Sequence, residues 1–267
     1  MTATRFESDF VRPGQPVVIR GLASHWPARS WDFHEIWRHF PSRKLRATGV
    51  SPPDGRRAIW SLTPDELAQR MTSDVDADSK APRPDWLFDV HDELPELLEH
   101  LPPPPVCVGT SQYRLFMGRD TVTPGHYHSF QHALICLIHG TKRVLLYSPS
   151  DSPHLYPEPF AGDNPHYQSS QVDFAAPDAK RFPKVTSVRP LEVTLAPGDS
   201  LFVPVHWWHA VYGVGRVLST SLFWNARLRD YRFPHPGLTA IAAVVRSHLG
   251  RGLRRVGNLA PQVARER

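Results

Sequence analysis

The chain has 267 residues, a formal net charge of +5 and two cysteines. That length buries a sizeable core without cross-links, which excludes a disulfide-scaffolded mini-protein and a Cys-based zinc module. Met1 to Ser8 hold no apolar signal region, and no apolar stretch nears the ~20 residues of a membrane span, so no membrane partner and a cytoplasmic setting are expected.

The excess positive charge gathers in the tail, at Arg246, Arg251, Arg254, Arg255, Arg265 and Arg267. No nucleic-acid motif accompanies it, so it reads as a solvated helix face and nucleic acid is not an expected partner. Along the chain, a short strand is predicted around Val17–Arg20 and a helix around Asp32–His39. Thr63-Pro64-Asp65-Glu66 opens a second helix over 63–71, with Thr63 as N-cap, Pro64 at the first helical position and Glu66 closing a capping box. Residues 74–84 are polar and proline-bearing and predict a loop. Leu94–His100 predicts a short helix, ended by the rigid run Pro102-Pro103-Pro104-Pro105.

From Tyr113 onward the pattern is β. Ala133–Ile138 is continuously apolar, as in a strand buried on both faces, and Cys136 within it serves as a small hydrophobe. His139-Gly140-Thr141 predicts a turn into Lys142–Tyr147. Residues 149–190 are rich in Pro, Asp and Ser and predict a lid or substrate-binding loop. Leu191, Val193 and Leu195 alternate, Pro197-Gly198 turns, and Leu201–Val205 continues the sheet. Gly213-Val214-Gly215 leads into Val217–Trp224. Residues 238–255 predict a helix with Leu238, Ile241, Val244, Val245 and Leu249 on one side, facing either a second copy in a homodimer or the chain's own barrel.

The chemistry concentrates in three histidines. His126 and His128 are spaced to share one face of a strand, and His209 closes the run Val205-His206-Trp207-Trp208-His209. In a small β-barrel the two segments meet. Imidazole suits iron, zinc, nickel and copper, and three ligands leave coordination positions open. Satisfied barrel histidines are the plain alternative, and His132 and His206 are secondary ligand candidates. Tyr113 and Tyr127 are candidate donors to a bound acid, and Trp208 and Trp224 are expected to pack around the site.

Ordered motifs carry a resemblance. They are Pro16-Val17-Val18-Ile19-Arg20-Gly21-Leu22, His25-Trp26-Pro27-Ala28, Thr123-Pro124-Gly125-His126, Gly140-Thr141-Lys142-Arg143 through Pro149, and Leu155-Tyr156-Pro157. Further on come Pro177-Asp178-Ala179-Lys180-Arg181-Phe182-Pro183, Pro197-Gly198-Asp199, Trp207-Trp208-His209 and Phe223-Trp224. From about residue 10 to about residue 230 the chain resembles the jumonji-C, cupin-8 family of non-haem Fe(II) oxygenases that use 2-oxoglutarate.

The resemblance implies an all-β core with added helices, a double-stranded β-helix or jelly roll. It divides the chain into an extension over 1–105, the jumonji-C core over 106–230 and a basic helical tail over 231–267. It implies Fe(II) on His126, His128 and His209, and 2-oxoglutarate on Thr123 and Lys142, in a hydroxylase acting on a peptide side chain or an amino-acid-like small molecule. The chain departs from the family at three positions. His128 stands where the family has a carboxylate, Ala133 where it has an asparagine near the cosubstrate, and Leu222 where it has a second asparagine. These departures keep two other readings open: a three-His metalloenzyme, holding iron, zinc or nickel, that does not use 2-oxoglutarate, and a cupin-like binding protein without catalysis.

Overall fold

A computed structural model describes residues 1–31, 36–51, 56–72, 85–107, 109–160 and 167–231, with isolated positions between 233 and 245. The loop expected at 74–84, most of the helix expected at 238–255 and the tail arginines lie outside the described residues.

Among the described residues, ten strands join one antiparallel sheet: β1 Val17–Ile19, β2 Leu45–Ser51, β3 Arg56–Leu62, β4 Asp85–Asp89, β5 Gln112–Arg119, β6 Val122–His126, β7 Gln131–Tyr147, β8 Leu191–Leu195, β9 Ser200–Val203 and β10 Trp208–Asn225. The path runs β1-β9-β7-β10-β5-β4-β2-β3, with β6 on β10 and β8 on β7. β7 and β10 are the axis. They pair from Tyr147↔Trp208 at one end to Gln131↔Asn225 at the other. Each changes its outer neighbour halfway. Lys142–Leu146 of β7 pairs with β8 while Ala133–Cys136 pairs with β9. β10 takes β6 along His209–Tyr212 and β5 along Arg216–Phe223. Two long strands with different partners on their two halves build the double-stranded β-helix.

This topology corrects one expectation. The chain does not reverse at His139-Gly140-Thr141. β7 runs straight through it, because both halves pair with the same strand, β10. The strand bends there instead. Gly140 has φ +83, the Arg216 carbonyl occupies the space a side chain would need, and the β10 register slips between Val214 and Leu218. A glycine and a bulge make the corner of the barrel.

The two faces of the strands separate two cores. Tyr113, Leu115, Met117, Leu134, Cys136, Ile138 and Leu222 pack outward with Trp26, Trp86, Phe88 and Phe202. Ala133, Ile135, Leu137, Val144, Leu146, Leu195, Leu201, Val203, Val211 and Phe223 fill the barrel interior. β4, β2 and β3 extend the sheet from β5, a contribution that 45–62 and 85–89 do not announce by alternation. Helix α1, Pro64–Thr72, starts with the expected capping box: Thr63 N–H donates to Glu66 Oε2 at 2.7 Å and Glu66 N–H to Thr63 Oγ1 at 3.3 Å. The helix expected at 32–39 is a 3-10 turn, Ile36–His39, over its described part.

β1 is fastened by the turn between β8 and β9. The Asp199 carboxylate accepts from Arg20 Nη1, Gly21 N–H and Ala196 N–H. Burial alone would raise its pKa, but these donors outweigh burial and hold it below the usual carboxylate value.

The segment expected as a lid is mostly wall. It makes 3-10 turns at Pro149–His154 and Pro183–Ser187. Leu155, Val172, Phe174, Phe182 and Val185 are buried against Tyr127, Tyr147 and Trp208 in a third core. The apolar residues are spread thinly among Pro, Asp and Ser, so no periodicity announces them. Near the C-terminus, Leu238, Ile241 and Val245 are 56%, 36% and 52% exposed.

Candidate metal centre

The barrel interior holds the three histidines. His126 lies opposite His209 across β6 and β10, and Thr123 opposite Val211. Two residues of β10 therefore span three of β6, a bulge. Plain alternation would put Thr123 and His126 on opposite faces; the extra residue brings both to the inner face. Gly125 within the bulge has no room for a side chain, since a Cβ would lie 2.6 Å from the Phe174 ring. Residues 168–170 pair along this strand, with Tyr127 N–H donating to Gln168 O at 3.0 Å and Ser170 N–H to Gly125 O at 2.8 Å. Part of the expected lid thus braces the metal strand from outside.

One potential ligand atom from each of His126, His128 and His209 lies within 4.8 Å of the others. The ring centroids are 5.2 Å apart for His126–His128, 4.2 Å for His126–His209 and 4.8 Å for His128–His209. Two rings are oriented by main-chain carbonyls. His126 Nδ1 donates to Pro124 O at 2.9 Å and His209 Nδ1 to Trp207 O at 3.1 Å. A carbonyl only accepts, so each Nδ1 carries the proton and the lone pair lies on Nε2, as in metal-ligating histidines. The buried Nδ1 of His128 has no hydrogen-bond partner. A buried nitrogen without a hydrogen-bond partner among three imidazoles fits a site built to take a ligand. Burial first, then the neighbouring imidazoles, pushes the pKa of both His128 and His209 well below the ordinary histidine value. Arg114 adds to the effect on His128. At neutral pH these rings are uncharged, the form that binds a metal.

Lys142 faces the same interior, in phase with Val144 and Leu146. It is 4% exposed; its ammonium donates to Ser219 Oγ at 2.7 Å and lies 5.6 Å from the Phe116 ring centroid. Ala133 also lines the interior. Leu222 does not: strand alternation turns it into the outer core while Phe223 points inward. The missing asparagine at Leu222 therefore takes nothing from the pocket.

The secondary candidates stand elsewhere. His132 Nδ1 accepts from Val205 N–H at 3.1 Å and its Nε2 meets Asp230 at 3.3 Å, so both nitrogens are engaged. His206 Nε2 donates to Ser129 O at 3.2 Å. Tyr113 sits on the outer face and donates to Leu101 O at 2.7 Å; Tyr127 is buried in the third core against Trp208. Trp208 is fully buried with its indole N–H on Ser152 Oγ, and Trp224 stacks on Phe202. One interior residue escaped the sequence reading. Arg114 of β5 points inward, its guanidinium 5.3 Å from the Phe223 ring, which lies 5.4 Å from the His128 ring. The signal was present: Tyr113, Leu115 and Met117 alternate apolar, which leaves Gln112, Arg114 and Phe116 on the other face.

Comparison with known proteins accords with this geometry. Lysine-specific demethylase 8 of Xenopus tropicalis is 28% identical over 229 residues, covering 82% of this chain and 50% of that protein. HSPB1-associated protein 1 of Rattus norvegicus is 39% identical over 112 residues, 41% of this chain and 22% of that one. The chain spans about half the length of the full-length relatives it matches over most of its own length. Among solved structures, the ribosomal oxygenase YcfD of Escherichia coli aligns with a TM-score of 0.52 at 14% identity, over 100% of this chain and 61% of that chain, a likeness of fold. Among the described residues no helix is long and apolar enough to cross a membrane. Residues 3–230 match the model of the cupin-like domain, and the chain belongs to that family, the cupin-8 group of the jumonji-C proteins.

Proposed function

We propose that the chain is a non-haem Fe(II)- and 2-oxoglutarate-dependent oxygenase, a hydroxylase of a peptide side chain or an amino-acid-like small molecule. One observation carries the reading: three imidazoles converge inside a barrel whose interior also holds a buried lysine. His126, His128 and His209 hold the metal, two of them through Nε2. Lys142 and Thr123 bind the distal carboxylate of the oxo-acid, which sets its reach to the metal. The chemistry such an iron supplies when bound is the coupling of oxidative decarboxylation of 2-oxoglutarate to oxygen insertion into a C–H bond. The apolar interior of Ile135, Leu137, Leu201, Val203 and Val211 keeps water from the reacting atoms. The family membership and the relatives named as demethylases support this reading. We place the protein in the cytoplasm, consistent with its two free thiols. The exposed Leu238, Ile241 and Val245 suit a homodimer through the C-terminal helix.

A second reading, a three-His metalloenzyme that does not use 2-oxoglutarate, rests on His128 at the carboxylate position. Three neutral ligands leave the full charge of a dication, which suits zinc or nickel as well as iron. Anaerobic titration of the Fe(II)-loaded chain with 2-oxoglutarate separates the two. A visible charge-transfer band that saturates at one equivalent supports the oxygenase; metal bound without the band supports the second reading.

A further inference from the structure

We infer that His206, which stands outside the ligand set, is the positioning residue of the metal centre. It ties the stretch that carries His126 and His128 to the stretch that carries His209, so that a metal meets three imidazoles already in register. The inference rests on the proposed metal site and adds what holds that site together.

The ligands come from two separate stretches of chain. His126 ends β6 and His128 follows it, whereas His209 is the second residue of β10. Between β9 and β10 the chain turns over Pro204–Trp207, where Trp207 N–H donates to Pro204 O at 3.2 Å. His206 is the third residue of that turn and has φ +69. Glycine takes such a position without strain, so a histidine there carries a backbone cost. The ring accounts for it. His206 Nε2 donates to Ser129 O at 3.2 Å, and His206 N–H donates to His128 O at 3.1 Å. One residue thus grips two successive carbonyls, the first of them a ligand's own. The grip passes to His209 through the next residue, because Trp207 O is the carbonyl that holds His209 Nδ1 at 3.1 Å.

The turn is held from its other side as well. Val205 N–H donates to His132 Nδ1 at 3.1 Å, and His132 Nε2 donates to Asp230 Oδ2 at 3.3 Å. The carboxylate keeps the proton on Nε2 and so leaves Nδ1 as the acceptor. Trp207 Nε1 donates to Gly14 O at 2.9 Å. Val205, His206, His132 and Asp230 are all at most 4% exposed, so water does not compete for these bonds. The rings of Tyr231 and Tyr127 stand 4.9 and 6.3 Å from the His206 ring. A strained residue persists where its surroundings over-determine it, and here those surroundings are the two ligand-bearing stretches.

The test uses the full chain and two readings: Zn(II) affinity against a competing chelator, and the d–d absorption of the Co(II)-loaded chain, which reports how the ligands stand around the ion. His206→Gly accepts the positive φ and removes the ring. His206→Gln returns an N–H donor at the place of Nε2. His206→Gly should bind Zn(II) roughly tenfold or more weakly and shift the Co(II) bands, while His206→Gln recovers most of the affinity and the original bands. A contact that serves stability alone would lower Tm in the metal-free variants and leave the Co(II) bands in place. His206→Asn, which also accepts positive φ and has a shorter amide, repeats the measurement where His206→Gly does not fold. Original affinity and bands in a folded His206→Gly, or a His206→Gln as weak as His206→Gly, would overturn the inference, as would failure of both His206→Gly and His206→Asn to fold. If the unaltered chain binds neither Zn(II) nor Co(II) at one equivalent, it is the metal site itself that fails.

Discussion

Lys142→Met separates a functional from a structural role for the buried ammonium, because the two roles predict opposite signs. The ammonium is 4% exposed and donates to a neutral hydroxyl, Ser219 Oγ, at 2.7 Å. Burying an ammonium at that depth costs desolvation, and Met has almost the same length with no charge. The substitution should therefore stabilise the acid-free protein by about 1 kcal/mol or more, raising Tm by roughly 2–4 °C at this chain length. Removing one partner of a buried charge pair costs about 3 kcal/mol, so 2-oxoglutarate should bind roughly a hundredfold more weakly. Pyruvate offers the metal the same keto-carboxylate without the distal group and should lose little. Thermal unfolding without ligand and calorimetric titration with both acids read all three quantities. A variant that unfolds earlier and binds 2-oxoglutarate as before would refute the reasoning, as would equal losses for the two acids.

Other outcomes follow from the same structure. His209→Ala should abolish stoichiometric binding of iron, nickel or zinc, measured by metal analysis after dialysis, because two imidazoles hold a metal poorly; unchanged metal content would sink the site. His128→Asp should raise 2-oxoglutarate decarboxylation if the rest of the pocket serves an oxygenase, and a loss of activity would mark the three-His set as the one this barrel is built for. Gly125→Ala forces a methyl into the Phe174 ring and should cost about 1–3 kcal/mol in denaturant unfolding, with weaker metal binding. Asp199→Asn should flatten the acid limb of stability. The folded carboxylate has a lowered pKa, so its contribution is present above the unfolded value of about 3.9 and is lost as pH falls through the folded one; an unchanged acid limb would refute the claim.

The parts of the fold that were legible are those in which one residue type has one physical use. Thr63, Pro64 and Glu66 make a capping box wherever a helix starts, and they make one here. Ala133–Ile138 is apolar on both faces because β7 separates two cores, and the run reads directly as a doubly buried strand. Gly140 misled, because a glycine with positive φ makes a tight turn and a bent strand equally well. Only the pairing of both halves of β7 with β10 decides between them, and that contact lies some seventy positions away in the chain. Residues 149–190 misled in the same way: Val172, Phe174, Phe182 and Val185 are core through distant partners such as Tyr127 and Trp208.

The site divides along the same line. The spacing of His126 and His128 is local, and period two announced it. That Thr123 shares their face depends on a bulge that no single residue marks, since it exists only as the mismatch of two residues of β10 against three of β6. Arg114 is the sharper case. A lone arginine among apolar residues reads as a solvated side chain, and only the closure of the barrel turns Gln112, Arg114 and Phe116 inward. Charge nevertheless left a trace that needs no coordinates. Strands β5, β6, β7, β9 and β10 hold no Asp or Glu in a chain with 26 acidic residues, whereas β4 sets Asp89 opposite Arg114. The replacement of a ligand carboxylate by His128 belongs to that same pattern. His128 and Lys142 face the same barrel interior, so the ligand set and the group proposed to hold the oxo-acid answer to the same electrostatics.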